Sequence, residues 1–209
     1  MLRSVAELTG FGLLVEDGKF GKVRDLFFNL KDWTISHLVI NTGYWFFGRQ
    51  VLIPIPKIGV PDWRSRLIPV SLTKKQIKYG EGCDGEMLVS NQQQNPSTIN
   101  ELIGYRVYAK DGEVGRVEDI IFEQDETWLV RSLVVKIRNR FYSKKVVIAS
   151  LFVELISFGK SAVYLNLIGK TLMSSPEFNR EEHVNRELDK SLHDGSAVNL
   201  SRPYEQDNH

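Results

Sequence analysis

Apolar residues along this chain come in short bursts separated by turn residues, not in long stretches of helical period. The segment 21–30 (GKVRDLFFNL) is followed by Trp33–Asn41, then Gln50–Ile55, then Leu67–Leu72, whose residues alternate cleanly between apolar and polar. A second series runs 115–124 (GRVEDIIFEQ), Trp128–Lys136, Lys145–Ser150 and Ala162–Leu167. Bursts rich in Val, Ile, Leu and Phe and bounded by Gly, Pro, Asn and Asp read as strands, about five or six per series, as a small barrel or sandwich requires. No long helix separates them. A doubly wound α/β sheet needs a helical crossover between parallel strands and is excluded.

The two series are versions of one pattern. Residues 7–28 (ELTGFGLLVEDGKFGKVRDLFF) align with 101–122 (ELIGYRVYAKDGEVGRVEDIIF), with nine of 22 positions identical. These are Glu7/Glu101, Leu8/Leu102, Gly10/Gly104, Asp17/Asp111, Gly18/Gly112, Gly21/Gly115, Val23/Val117, Asp25/Asp119 and Phe28/Phe122. After a one-residue insertion the match continues through Trp33/Trp128, Leu38-Val39/Leu133-Val134, Val51/Val146, Ile53/Ile148, Leu72/Leu167 and Lys75/Lys170. A repeat of this length reads as an internal duplication. The shared positions are hairpin chemistry. Asp-Gly between apolar runs predicts a tight β turn in which glycine supplies positive φ, and Gly21 and Gly115 inside the returning strand predict a bulge or close backbone approach. The expected fold is mainly all-β: two tandem small barrels, residues 1–79 and 99–172. A Gly-, Gln-, Asn- and Ser-rich linker, 80–98, joins them, and a tail follows from 173 to 209. Each module has a thin core, so the two are expected to touch. Pro54, Pro56, Pro61 and Pro69 mark a sheet edge or loop in the first module.

In the tail, Ser174 or Ser175 followed by Pro176 and acidic residues predicts a helix start. Val184, Leu188 and Leu192 form a narrow apolar stripe, Gly195 stops it, and the remainder to His209 reads as disordered. The stripe suits either a helix folded back on the modules or a docking helix for a partner.

Charge narrows the functional classes. The 209 residues carry 27 Lys plus Arg against 26 Asp plus Glu, a net charge of +1 that steers the chain to neither nucleic acid nor an anionic membrane. The single cysteine, Cys83, excludes an internal disulfide and points to a reducing, cytoplasmic setting. The longest apolar stretch, Val146 to Phe158, contains Glu154 and is shorter than the roughly 20 residues of a spanning helix.

The pattern L-x-G-x-x-V/L-x-x-x-D-G-x-x-G-K/R-V-x-D-hydrophobic resembles the signature of the PRC-barrel family. It falls on Gly10, Asp17, Gly18, Gly21, Val23 and Asp25, and again on Gly104, Asp111, Gly112, Gly115, Val117 and Asp119. The resemblance implies a compact β barrel that binds other proteins, sometimes in RNA-processing or electron-transfer assemblies, with no chemistry and no cofactor of its own.

Four features are candidates for a role beyond folding. Asp25 and Asp119 lie inside apolar strands. They could be ligands or an acid/base pair, or they could accept backbone hydrogen bonds from the preceding turn. The run Tyr44-Trp45-Phe46-Phe47 is a candidate partner surface, or else packing at a barrel end. Arg138, Arg140, Lys144 and Lys145, beside Phe141 and Tyr142, form a candidate basic patch for nucleic acid, or a solvated hairpin end. His37, His183, His193 and His209 show no metal-ligand spacing, and no P-loop, G-x-G-x-x-G or G-x-S-x-G motif occurs. The expected function is a non-catalytic, protein-binding adaptor or scaffold that could also self-associate. The alternative is an RNA-associated assembly or maturation factor using the Arg138–Lys145 hairpin, and an enzyme with an unrecognised site is the remotest reading.

Overall fold

In the computed structural model, residues 1–42, 50–79, 97–138 and 143–179 are described. The chain opens with a short strand β1 (Leu2–Ser4) and one turn of helix α1 (Val5–Leu8), then β2 (Gly12–Val15), β3 (Gly18–Phe28), β4 (Ile35–Asn41), β5 (Gln50–Pro54), β6 (Leu67–Pro69) and α2 (Lys74–Tyr79). The second half repeats the order. It has β7 (Ser97–Thr98), α3 (Ile99–Leu102), β8 (Arg106–Ala109), β9 (Gly112–Glu123), β10 (Val130–Arg138), β11 (Ser143–Ala149), an additional strand β12 (Val153–Ser157), β13 (Ala162–Leu165) and α4 (Gly169–Ser174). The fold is mostly β, as the burst pattern predicts.

Each half builds one sheet of the same order: β5-β4-β3-β2-β6 in the first, and β11-β10-β9-β8-β13-β12 in the second. In both, consecutive long strands pair antiparallel, and the last common strand returns parallel to the first hairpin strand, β6 beside β2 and β13 beside β8. Among the described residues both ladders are open paths, with no pair joining the two end strands. The prolines account for the missing sixth strand in the first half. Both halves make a 3₁₀ turn first, Ile55–Lys57 and Ser150–Phe152. Where the second half then forms β12, the first holds Pro61 between the isolated bridges of Ile58 and Asp62, because proline cannot donate to a ladder.

The Asp-Gly hairpins form, with their turn one residue earlier than expected. Val15 pairs with Gly18 and Ala109 with Gly112, so Glu16-Asp17 and Lys110-Asp111 occupy the turns. Positive φ falls on Gly18 (116°) and Gly112 (137°) and not on the aspartates. Gly21 and Gly115 behave as expected of a close approach. A Cβ on Gly115 would lie 2.2 Å from the Lys136 carbonyl oxygen, and one on Gly21 would lie 2.6 Å from Ile40 Cγ2.

The halves are not merely in contact; they exchange elements. β1, at the start of the first half, pairs antiparallel with β9 of the second sheet, Leu2 opposite Glu123 and Ser4 opposite Ile121. β7, at the start of the second half, pairs with β3 of the first sheet, Phe27 opposite Thr98. Between the sheets Ile35 N–H donates to the Trp128 carbonyl (2.9 Å) and Val130 N–H to the Trp33 carbonyl (2.7 Å). The two tryptophans share a left-handed backbone (φ 59° and 48°), which turns those carbonyls towards the other half. Trp33 packs on Phe28 and Trp128 stacks on Phe122 at 5.2 Å. One continuous apolar core runs through both halves and includes Leu8, Phe28, Leu102 and Phe122, all fully buried. Burial on this scale exceeds what either ~75-residue unit encloses alone.

Candidate functional site

Among the described residues Asp25 and Asp119 are the buried acids, at 8% and 4% exposure. A bulge just ahead of each explains how an acid enters an apolar strand. Arg24 and Glu118 fall out of register with β4 and β10, and the shift turns the following aspartate to the sheet face opposite the core residues Leu26 and Ile120. On that face each carboxylate meets the short helix given by the other half. Asp119 accepts from its neighbour Ile120 N–H (2.8 Å), from Ala6 N–H (3.2 Å) and from the Ser4 hydroxyl (2.5 Å). Asp25 accepts from Leu26 N–H (2.8 Å), from Asn100 N–H (3.1 Å) and from the Thr98 side chain. Asn100 Nδ2 adds a bond to the Arg24 carbonyl. The partners are thus the first turns of α1 and α3, not the preceding hairpin turn, which corrects the expected local bond. The Ala6 and Asn100 donors are helix-start amides that have no partner within their own helix.

Burial holds the Asp25 carboxyl above its ordinary range. The bonds from Leu26, Asn100 and Thr98 pull it back down without cancelling the desolvation. Asp25 and Asp119 sit in separate sheets with separate partners, so they are not brought together as an acid/base pair.

The other repeated acids also join elements. Asp17 Oδ1 accepts from Lys74 N–H at the start of α2 (2.9 Å), and Asp111 Oδ1 accepts from Gly169 N–H at the start of α4 (2.6 Å). A Cβ on Gly169 would come within 2.9 Å of that same oxygen, so glycine is needed where the helix meets the turn. Gly10 and Gly104, at φ 87° and 89°, end α1 and α3 and donate to the carbonyls of Val23 and Val117.

The candidate basic patch divides. Lys144 Nζ donates to the carbonyls of Met173 and Ser175, both at 2.5 Å, and so closes the C-terminal end of α4. Lys145 pairs with Glu118 at 2.8 Å. Arg138 is exposed on β10. Arg140 lies outside the described residues, as do the run Tyr44–Phe47, Cys83, His183, His193 and His209. His37 is half-buried on β4, its Nδ1 3.0 Å from the Ser36 hydroxyl. Among the described residues no group of His, Cys, Asp and Glu is placed to hold a metal ion, and no helix is long and apolar enough to cross a membrane.

The expected tail stripe Val184, Leu188 and Leu192, with Gly195 after it, lies outside the described residues, and only the expected helix start can be placed. α4 ends at Ser174, where the tail helix was expected to begin, and Pro176–Asn179 are irregular. There Phe178 N–H donates to the Lys145 carbonyl (2.7 Å), and its ring covers Ile121 and Val134 on the outer face of the second sheet.

Taken together, paired long hairpins, a parallel return strand and acids spent on joining elements define a β-sheet protein whose repeated residues build architecture. Residues 96–172 match the model of the PRC-barrel domain. No curated protein matches the chain. The matched stretch begins at β7 and α3, the elements that the second half lends to the first sheet.

Proposed function

We propose that the protein is a non-catalytic scaffold for a protein partner, built from two PRC-type modules that arose by duplication and are fused through exchanged ends. The observation that carries this reading is the fate of the four repeated acids. Asp17, Asp25, Asp111 and Asp119 all accept hydrogen bonds from backbone amides inside the fold. Carboxylates satisfied in this way hold elements together and are not poised to transfer protons. The equal strand order and parallel return strand of the two sheets support the duplication, and the PRC-barrel domain supports an interaction module. On this reading the protein works in the cytoplasm, and the aromatic run Tyr44–Phe47 supplies the contact. Exposed aromatics at the centre of an interface carry a large share of its energy.

The test is affinity capture from native cells with wild-type protein and with Trp45→Ala at several salt concentrations. A partner held by apolar contact survives the salt series with wild type and is lost with Trp45→Ala. Recovery of the same partners by both proteins would remove the aromatic run from the interface.

A further inference from the structure

The outer face of the second sheet carries a pattern that is invisible along the chain. Arg106 on β8 stands opposite Arg116 on β9, Arg116 opposite Lys136 on β10, and Lys136 opposite Lys145 on β11. All four side chains are exposed. Their inward neighbours Val107, Val117, Val135 and Val146 are buried in the core, so strand alternation puts the four cations on the same, outward face. Adjacent strands are about 4.8 Å apart, so the row runs about 14 Å straight across four strands. Two residues along from Arg106, Tyr108 stands on this face opposite Tyr164, their rings stacked with centroids 5.4 Å apart.

The first sheet has the same row in the same register, and there it reads Gly12, Lys22, Asn41 and Gln50, with one cation. Two sheets of one design therefore differ in charge at one line of positions. Folding does not require four cations in this row, because the sister sheet forms with Lys22 alone there.

We propose that the row Arg106–Arg116–Lys136–Lys145 binds the phosphate backbone of single-stranded nucleic acid. A line of Arg and Lys across a sheet meets successive phosphates with forked and point-charge donors. The tyrosines beside it offer ring surface to an unstacked base, a combination typical of single-strand binders. An acidic peptide or a lipid headgroup has no base to place against those rings. Glu118 pairs with Lys145 at one end of the row, and at the other Arg106 meets Tyr108 and faces Glu113, so the row offers three or four phosphate contacts. The inference goes beyond the scaffold reading and does not rest on it, since it uses no residue of the run Tyr44–Phe47.

The test measures fluorescence anisotropy of a labelled oligouridylate with the full chain between 50 and 200 mM salt. Single-strand binding weakens with a log–log slope of about −0.7 per phosphate neutralised, so three or four contacts give a roughly 20- to 50-fold loss across this range. The double substitution Arg116→Gln with Lys136→Gln removes two contacts and shrinks that loss to roughly 3- to 7-fold. Lys22→Gln, at the matching place in the first sheet, leaves it unchanged. Because Arg116 also donates to the Gly104 carbonyl at 2.9 Å, Lys136→Gln alone is measured beside it, and thermal melting checks that each variant is folded. Undetectable binding at 50 mM salt overturns the proposal, as does an unchanged salt dependence in a folded Lys136→Gln variant. Equal binding of polyglutamate or of phosphatidylserine vesicles overturns it in favour of a general anion surface.

Discussion

Replacing Asp119 by Ala tests whether the exchanged ends carry the stability of the molecule. The substitution deletes the acceptor for Ala6 N–H, Ser4 hydroxyl and Ile120 N–H in a site with 4% exposure. A buried donor left without a partner costs about 1–3 kcal/mol. Ala6 is exposed and its amide can turn to water, and the Ser4 hydroxyl can rotate, so those two losses fall at the low end. The Ile120 amide lies beside a fully buried side chain and cannot be rehydrated without opening the sheet. The sum is about 3 kcal/mol, which at 2–4 °C per kcal/mol for a chain of this size lowers the melting temperature by about 6–12 °C. Because Ser4 and Asp119 bond each other, Ser4→Ala with Asp119→Ala should cost about 1 kcal/mol less than the two changes added. Thermal or urea unfolding followed by circular dichroism measures all three variants. A singly substituted Asp119→Ala protein melting within about 1 °C of wild type, or strict additivity with Ser4→Ala, would refute the argument that this carboxylate fastens β1 and α1 to the second sheet.

Two further outcomes follow from the same geometry. Burial raises the Asp25 carboxyl above its ordinary value of 3.8, so the folded state holds that proton more tightly than the unfolded one. The Asp25 contribution is therefore full below the unfolded value and is lost as pH rises through the folded one. In urea unfolding across the acid range, Asp25→Asn should gain on wild type as pH rises through that window; a constant difference between the two proteins contradicts the shift. Gly115→Ala places a methyl 2.2 Å from the Lys136 carbonyl oxygen and should destabilise by more than about 3 kcal/mol through strand separation, whereas Gly159→Ala, with open space around it, should melt within a degree or two of wild type.

The strands were readable because their signals are local. Asp-Gly followed by a glycine three residues on demands a hairpin with a close approach, and Gly18, Gly21, Gly112 and Gly115 supply both wherever they occur. The exchange was not readable from periodicity, since β1 has three residues and β7 two, too few to carry a pattern. A signal was nevertheless present. Ser4-x-x-Glu7 and Thr98-x-x-Glu101 carry the capping-box sequence at matching places ahead of the two modules and mark α1 and α3 as helix starts. The box forms at Thr98, whereas the Ser4 hydroxyl goes to Asp119. What no single-chain pattern conveys is that the helix-start donors point into the opposite half. The basic row is a further case. Residues 106, 116, 136 and 145 are scattered in sequence and become neighbours only through ladder register, whereas the compact cluster Arg138–Lys145 was visible and divides on folding. Lys144 is taken up by α4 and Lys145 joins the row.

The pairing of Leu2 with Glu123 orders events during synthesis. Translation makes β1 and α1 long before β9 exists, so the first sheet can assemble while its own leading segment waits for a place to dock, and β3 waits likewise for β7 to be made. Each half matures by receiving a piece of the other, and a ribosome that stalls between them leaves behind a sheet with one vacant edge and one idle strand.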